Sequence, residues 1–152
     1  MSRRKNRKPR FTLSQGEADR LITQVKHAVD DLYRMPAEGE KNAEFHVRSD
    51  TDGEDFTIAM YCGSINQQRH TIYARITKLG IPLLRLCVNG QPHRNPDGQR
   101  VGRTHWHVYT EGLDDWVAFP AELGSDGFID DTIELLDRFH VIRKPNFQGS
   151  ML

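Results

Sequence analysis

RHTIYARIT (69–77) and PLLRLCV (82–88) are two stretches of alternating character, separated by Lys78 to Ile81 with Gly80 between, and Asn89-Gly90 closes the second. Side chains two apart on a strand share a face, so Ile72, Ala74 and Ile76 match Leu84, Leu86 and Val88, while Thr71, Tyr73, Arg75 and Arg85 face the other way. This reads as an antiparallel pair with one covered face. The same period runs upstream: Phe45 and Val47 alternate with His46 and Arg48, Asp50 to Asp55 (DTDGED) make a turn, and Phe56, Ile58 and Met60 alternate with Thr57, Ala59 and Tyr61. Downstream, after the loop GQPHRNPDGQRVG, RTHWHVYT (103–110) is a fifth strand and WVAFP (116–120) a short sixth.

The two ends of the chain have a helical period. From Ser14, apolar Ala18, Leu21, Ile22, Val25, Ala28, Val29 and Leu32 recur at spacings of three and four, Ser14 and Glu17 form a capping box, and Pro36 stops the run. A second helix is expected from Asp130 to His140, with Ile133, Leu136 and Phe139 inward and acids near its start. The fold expected is therefore α+β: an antiparallel sheet of about five or six strands with an N-terminal and a C-terminal helix packed on one face.

The chain has 152 residues, 37% hydrophobic and 28% charged, enough for one core, so residues 11–152 are read as a single domain. Lys+Arg and Asp+Glu both number 21, but six of the cations lie in the first ten residues, leaving 15 against 21 acids and a net charge of −6 on the remainder. Residues 1–10, carrying Arg3, Arg4, Lys5, Arg7, Lys8 and Arg10, read as a disordered basic arm suited to phosphates. No apolar run approaches a membrane span and no secretory signal is visible, which points to the cytoplasm. Cys62 and Cys87 lack metal or scaffold spacing and are read as reduced thiols. No phosphate-binding glycine loop, nucleophile elbow or dinucleotide fingerprint occurs, and no cofactor is expected.

The chemistry concentrates on the polar sets: His46/Arg48, Thr57/Tyr61, Thr71/Tyr73/Arg75, Arg85 and His105/His107/Tyr109. Two histidines at i and i+2 share one face, ~6.5–7 Å apart at Cα. Three readings follow. In the first, His105 and His107 act as acid and base without metal, His93 and Arg94 position a phosphate, and Tyr109 assists. In the second, His105, His107 and His93 or Asp97 hold a zinc-like ion. In the third, the imidazoles are ordinary polar residues bonded to neighbours such as Glu111. Asn-Pro-Asp-Gly at 95–98 is also good turn chemistry in its own right. Arg48, Tyr73, Arg75 and Arg85, with the basic arm, suit RNA or single-stranded DNA, or equally a protein partner.

LLRLCVNGQPHRNPDG, GRTHWHVYTEG and the Trp116-Val-Ala-Phe-Pro segment together resemble a family of small single-domain bacterial and phage or prophage proteins without an established activity. The resemblance implies signature positions at His93, Arg94, Asn95, Pro96, Asp97, Gly98, His105, His107, Tyr109, Glu111 and Gly112. The chain departs from the pattern at Leu113-Asp-Asp, where relatives have a Gly-rich link, and in its longer Arg-rich start.

Two functions stand at this point. One is a small metal-independent, RNase-like or toxin-like enzyme using His105 and His107. The other is a non-catalytic module of a phage or mobile element that grips nucleic acid or a host protein through its His/Arg/Tyr face.

Overall fold

The computed structural model describes residues 8–40, 43–63, 68–124 and 127–149. Two helices, α1 (Gln15–Thr23) and α2 (Phe128–Arg138), accompany strands β1 (Lys26–Ala28), β2 (Leu32–Arg34), β3 (Ala43–Ser49), β4 (Asp55–Cys62), β5 (His70–Ile76), β6 (Pro82–Val88), β7 (His93–Arg94), β8 (Arg100–Val101), β9 (His105–Val108), β10 (Ala118–Pro120), β11 (Val141–Arg143) and β12 (Asn146–Gln148). The class is α+β. The expected antiparallel sheet of five or six strands is instead a mixed sheet of eight, in the order β10-β9-β6-β5-β4-β3-β1-β11, with β1 and β11 parallel.

The difference arises where the helical reading of residues 14–32 fails. Ser14 caps α1 as the sequence implies, its hydroxyl accepting from Glu17 N–H at 3.2 Å, but the helix ends at Thr23 and Gln24 turns to extended backbone. Val25 and Val29, counted as helix-face residues, are 40% and 44% exposed, while Lys26 and Ala28 point inward from a strand. A two-residue period was hidden inside a three-and-four one. Lys26 secures the break: its ammonium donates to the carbonyls of Ile22 (3.0 Å), Gln24 (2.8 Å) and Phe139 (2.8 Å) and lies 3.8 Å from the Phe139 ring centroid. One buried cation thus satisfies the final carbonyls of α1 and the carbonyl just past α2, groups that a helix end leaves orphaned.

Nor do two helices alone cover the sheet. The apolar rungs Phe45, Ile58, Ile72, Leu86 and Trp106 share one core with Ala18 and Leu21 of α1 and Leu135, Leu136 and Phe139 around α2. The parallel ribbon β2–β12 completes the cover, with Tyr33 4.8 Å and Phe147 5.9 Å from the Phe45 ring. Part of the opposite face is capped by a small antiparallel ribbon, β7–β8.

Candidate metal centre

β6 and β9 are neighbours, and their register sets Cys87 opposite His105 and Arg85 opposite His107. Alternation then carries His105, His107, Arg85 and Cys87 onto the face away from Trp106 and Leu86, as the sequence pattern implies. That face is not open here. His105 and His107 are each only 3% exposed, because the loop between β6 and β9 folds back over them.

The HRNPDG turn is what folds it back. Asn95 N–H donates to Gln99 O and Gly98 N–H to Asn95 O, both at 2.8 Å, with Gly98 at φ +93°, a left-handed conformation that favours glycine. Asp97 Oδ1 accepts from Gln99 N–H at 2.9 Å. Asn95 itself is buried and clamps the hairpin to β10, its amide donating to Ala118 O (3.0 Å) while its carbonyl accepts from Ala118 N–H (2.7 Å). His93 is thereby delivered to the pair, its ring centroid 5.7 Å from His105 and 4.7 Å from His107, which are 4.8 Å from each other.

Each of the three imidazoles spends one nitrogen on a backbone carbonyl. His93 Nε2–H donates to Trp116 O (2.7 Å), His105 Nδ1–H to Gly102 O (2.7 Å) and His107 Nδ1–H to Asp115 O (2.8 Å). A carbonyl can only accept, so these contacts fix the tautomers and leave Nδ1 of His93 and Nε2 of His105 and His107 as the lone-pair nitrogens. Ligand atoms of Cys87, His105 and His107 lie within 4.8 Å of one another. A tetrahedral zinc ion with bonds of ~2.0–2.3 Å holds its donors ~3.3–3.8 Å apart, so binding requires these side chains to close by about an ångström.

The electrostatics favour neutral donors. Burial, then the Arg85 guanidinium and the other two imidazoles, pushes His107 down to about 3. Burial chiefly, with His93 and Arg85 adding to it, lowers His105 as well. Burial raises the Cys87 thiol, so a metal would displace a proton from it on binding.

The other sequence-predicted residues divide differently. Arg94 is exposed on the hairpin. Tyr109, expected beside the histidines, lies past the end of β9, fully buried in the apolar core, and its hydroxyl donates to Leu13 O at 2.7 Å. Glu111 exchanges bonds with Gln15 instead of an imidazole: its Oε1 accepts from Gln15 N–H at 2.8 Å and its own N–H donates to Gln15 Oε1 at 2.9 Å. The YTEG segment is thus a dock for the start of α1. Arg48, Arg75 and Arg85 do lie on the face away from Trp106, but each meets a carboxylate, of Asp55 (2.7 Å), Glu44 (3.4 Å) and Asp115 (3.5 Å), and Arg75 also donates to the Tyr73 hydroxyl (3.2 Å). In the basic arm, Lys8 is exposed and Arg10 N–H donates to Asp114 Oδ2 at 2.8 Å. Arg3, Arg4, Lys5 and Arg7 lie outside the described residues.

The profile of a family of unknown function matches residues 13–141, a span that holds the hairpin, the histidine strand and the Glu111–Gln15 dock. The chain belongs to DUF6978. No curated protein and no solved structure matches it. For DUF6978 the membership supplies no activity, so the reading of this member rests on its own geometry. Among the described residues no helix is long and apolar enough to cross a membrane. Cys87 is the site residue that sequence reasoning missed, although it shares parity with Arg85 on β6.

Proposed function

We propose that this protein is a metal-binding module in which Cys87, His105 and His107 hold a divalent ion of the zinc class, with His93 standing over the ion from the hairpin. The observation that carries the reading is the set of three imidazole-to-carbonyl bonds. Metal-ligating histidines commonly donate their second nitrogen to a carbonyl or carboxylate, which orients the ring and raises the basicity of the donor atom. Imidazole and thiolate together suit zinc and its borderline neighbours better than magnesium or calcium. Deep burial points to a closed, structural ion that ties β6, β9 and the His93 hairpin together, since a hydrolytic ion needs a position open to substrate.

Metal-free acid and base catalysis on RNA has less support. Rings 3% exposed offer little approach for a polynucleotide, and a histidine lowered to about 3 carries no proton to give at neutral pH. The arginines read as a nucleic-acid face are matched by Asp55, Glu44 and Asp115, which weakens the case for RNA or single-stranded DNA.

Cobalt(II) titration of chelator-treated protein tests the proposal. One equivalent should bind, with a thiolate charge-transfer band that Cys87→Ser removes and with binding lost in His105→Ala. Absence of stoichiometric binding, or a spectrum indifferent to Cys87→Ser, would refute it.

A further inference from the structure

The N-terminal segment and the histidine cluster are tied to one short loop, residues 109–116. Over its first part, both oxygens of Asp114 accept backbone N–H groups from the incoming chain, Oδ2 from Arg10 (2.8 Å) and Oδ1 from Phe11 (3.2 Å). The Tyr109 hydroxyl donates to Leu13 O, Gln15 Nε2 donates to Tyr109 O at 3.2 Å, and Glu111 and Gln15 exchange a reciprocal pair of bonds. Residues 10–15 thus form a strap laid along the loop. Over its last part, Asp115 O and Trp116 O accept from His107 and His93, and the Asp115 carboxylate lies 3.5 Å from the Arg85 guanidinium.

The joint between the two sets is Asp114. Its φ is +49°, in the left-handed region that is strained for a residue with a side chain and persists only where the surroundings hold it. The strap holds it by gripping the carboxylate, which is 2% exposed, and the closed turn beneath adds Thr110 N–H to Asp114 O (2.7 Å) and Leu113 N–H to Thr110 O (2.9 Å). A return of Asp114 to negative φ would swing the peptides that follow, and with them the two carbonyls that fix the tautomers of His107 and His93. Seating of the strap and orientation of the imidazoles therefore favour the same backbone state, and two events that favour one state strengthen each other reciprocally.

We propose that the strap is a latch on the metal centre. With residues 10–15 seated the ion is held tightly, and with the ion in place the strap stays seated. Asp114 is the positioning residue through which the coupling runs. The inference rests on the metal reading proposed for the same site and adds its regulation: lifting the strap releases the ion.

Trypsin reads the latch, since the Arg10–Phe11 bond is open to cleavage only when Asp114 lets go of the Phe11 N–H. In full-length protein shown by cobalt titration to take up one equivalent, cutting after Arg10 should slow about tenfold on metal saturation. Cutting after Arg143, on the strand at the other edge of the sheet, should change little. Gln15→Ala, at the start of α1 and outside the ion's surroundings, should speed cutting after Arg10 and weaken cobalt binding several-fold. Asp114→Ala should do both more strongly and shift the cobalt ligand-field bands, whereas Asp114→Asn, which keeps an oxygen acceptor and tolerates positive φ, should retain most of the affinity. Cutting after Arg10 that ignores the metal, equal slowing after Arg10 and Arg143, or unchanged cobalt affinity in Gln15→Ala would each overturn the latch while leaving the metal reading in place. Failure of the titration itself would remove both.

Discussion

Leu86 and Cys87 are adjacent on β6, as Trp106 and His105 are on β9, and each neighbour looks to the opposite side of the same sheet. Both sides are buried, Leu86 at 0%, Trp106 at 4% and His105 at 3% exposure, but for different physical reasons. On the helix side, removal of apolar area from water is itself the driving force. On the hairpin side, burial costs free energy unless every polar atom finds a partner, and the imidazoles meet that demand with backbone carbonyls and, in our reading, an ion. The lesson is that alternation along a strand reports direction, not exposure.

The two sides should respond differently to mutation. Trp106→Ala should cost roughly 3–5 kcal/mol in urea denaturation, by the same amount with zinc or with chelator; a strongly zinc-dependent loss would blur the distinction. His107→Ala should remove the zinc-dependent increment, about 2.7 kcal/mol at a hundredfold excess over Kd, and the difference from wild type should shrink greatly in chelator. Asn95→Ala leaves the two backbone groups of Ala118 without their partner and should cost roughly 1–3 kcal/mol, with weaker metal binding as the hairpin loosens.

Acid should act on the hairpin side through its two buried imidazoles. In chelator-treated protein the folded state holds His107 at about 3 and His105 below its ordinary 6.5, so below 6.5 the unfolded chain takes up protons that the folded chain refuses. The contribution is complete above 6.5 and is lost as pH falls toward 3, at no more than ~1.4 kcal/mol per pH unit for each imidazole. Comparing urea midpoints for wild type and His107→Gln across pH 4–7 isolates this slope, which should be shallower in the variant. The smallest effect belongs to the exposed Arg48–Asp55 pair, where Arg48→Ala should cost under about 1 kcal/mol, read from the same titrations.

Much of this could be read from the sequence. The parity of His105 and His107, the inward sets on β3 to β6, the turn at residues 95–98 and the cap at Ser14 all follow from local rules and appear in the structure. What escaped depends on distant partners. Lys26 reads as a polar break in a helical pattern, yet it is the residue that three carbonyls and an aromatic ring draw inside. Strands β11 and β12 are three residues long and are held by pairing with β1 and β2, which no local period announces. The carbonyls of Gly102, Asp115 and Trp116 that orient the imidazoles belong to the backbone and leave no mark on residue identity. Tyr109 shares its parity with the histidines but falls just beyond the end of β9, where alternation no longer applies.

Asn95 has a consequence for how these molecules meet one another. β10 is the outermost strand of the sheet, and its Phe119 is 49% exposed, the kind of border that invites stacking with a second chain. The outward-facing hydrogen-bonding groups of that border belong to Ala118 and Pro120. Asn95 occupies both of those on Ala118, and Pro120 has no N–H to offer. An intruding strand would find a single carbonyl, so the turn that carries His93 also keeps the sheet from growing past β10.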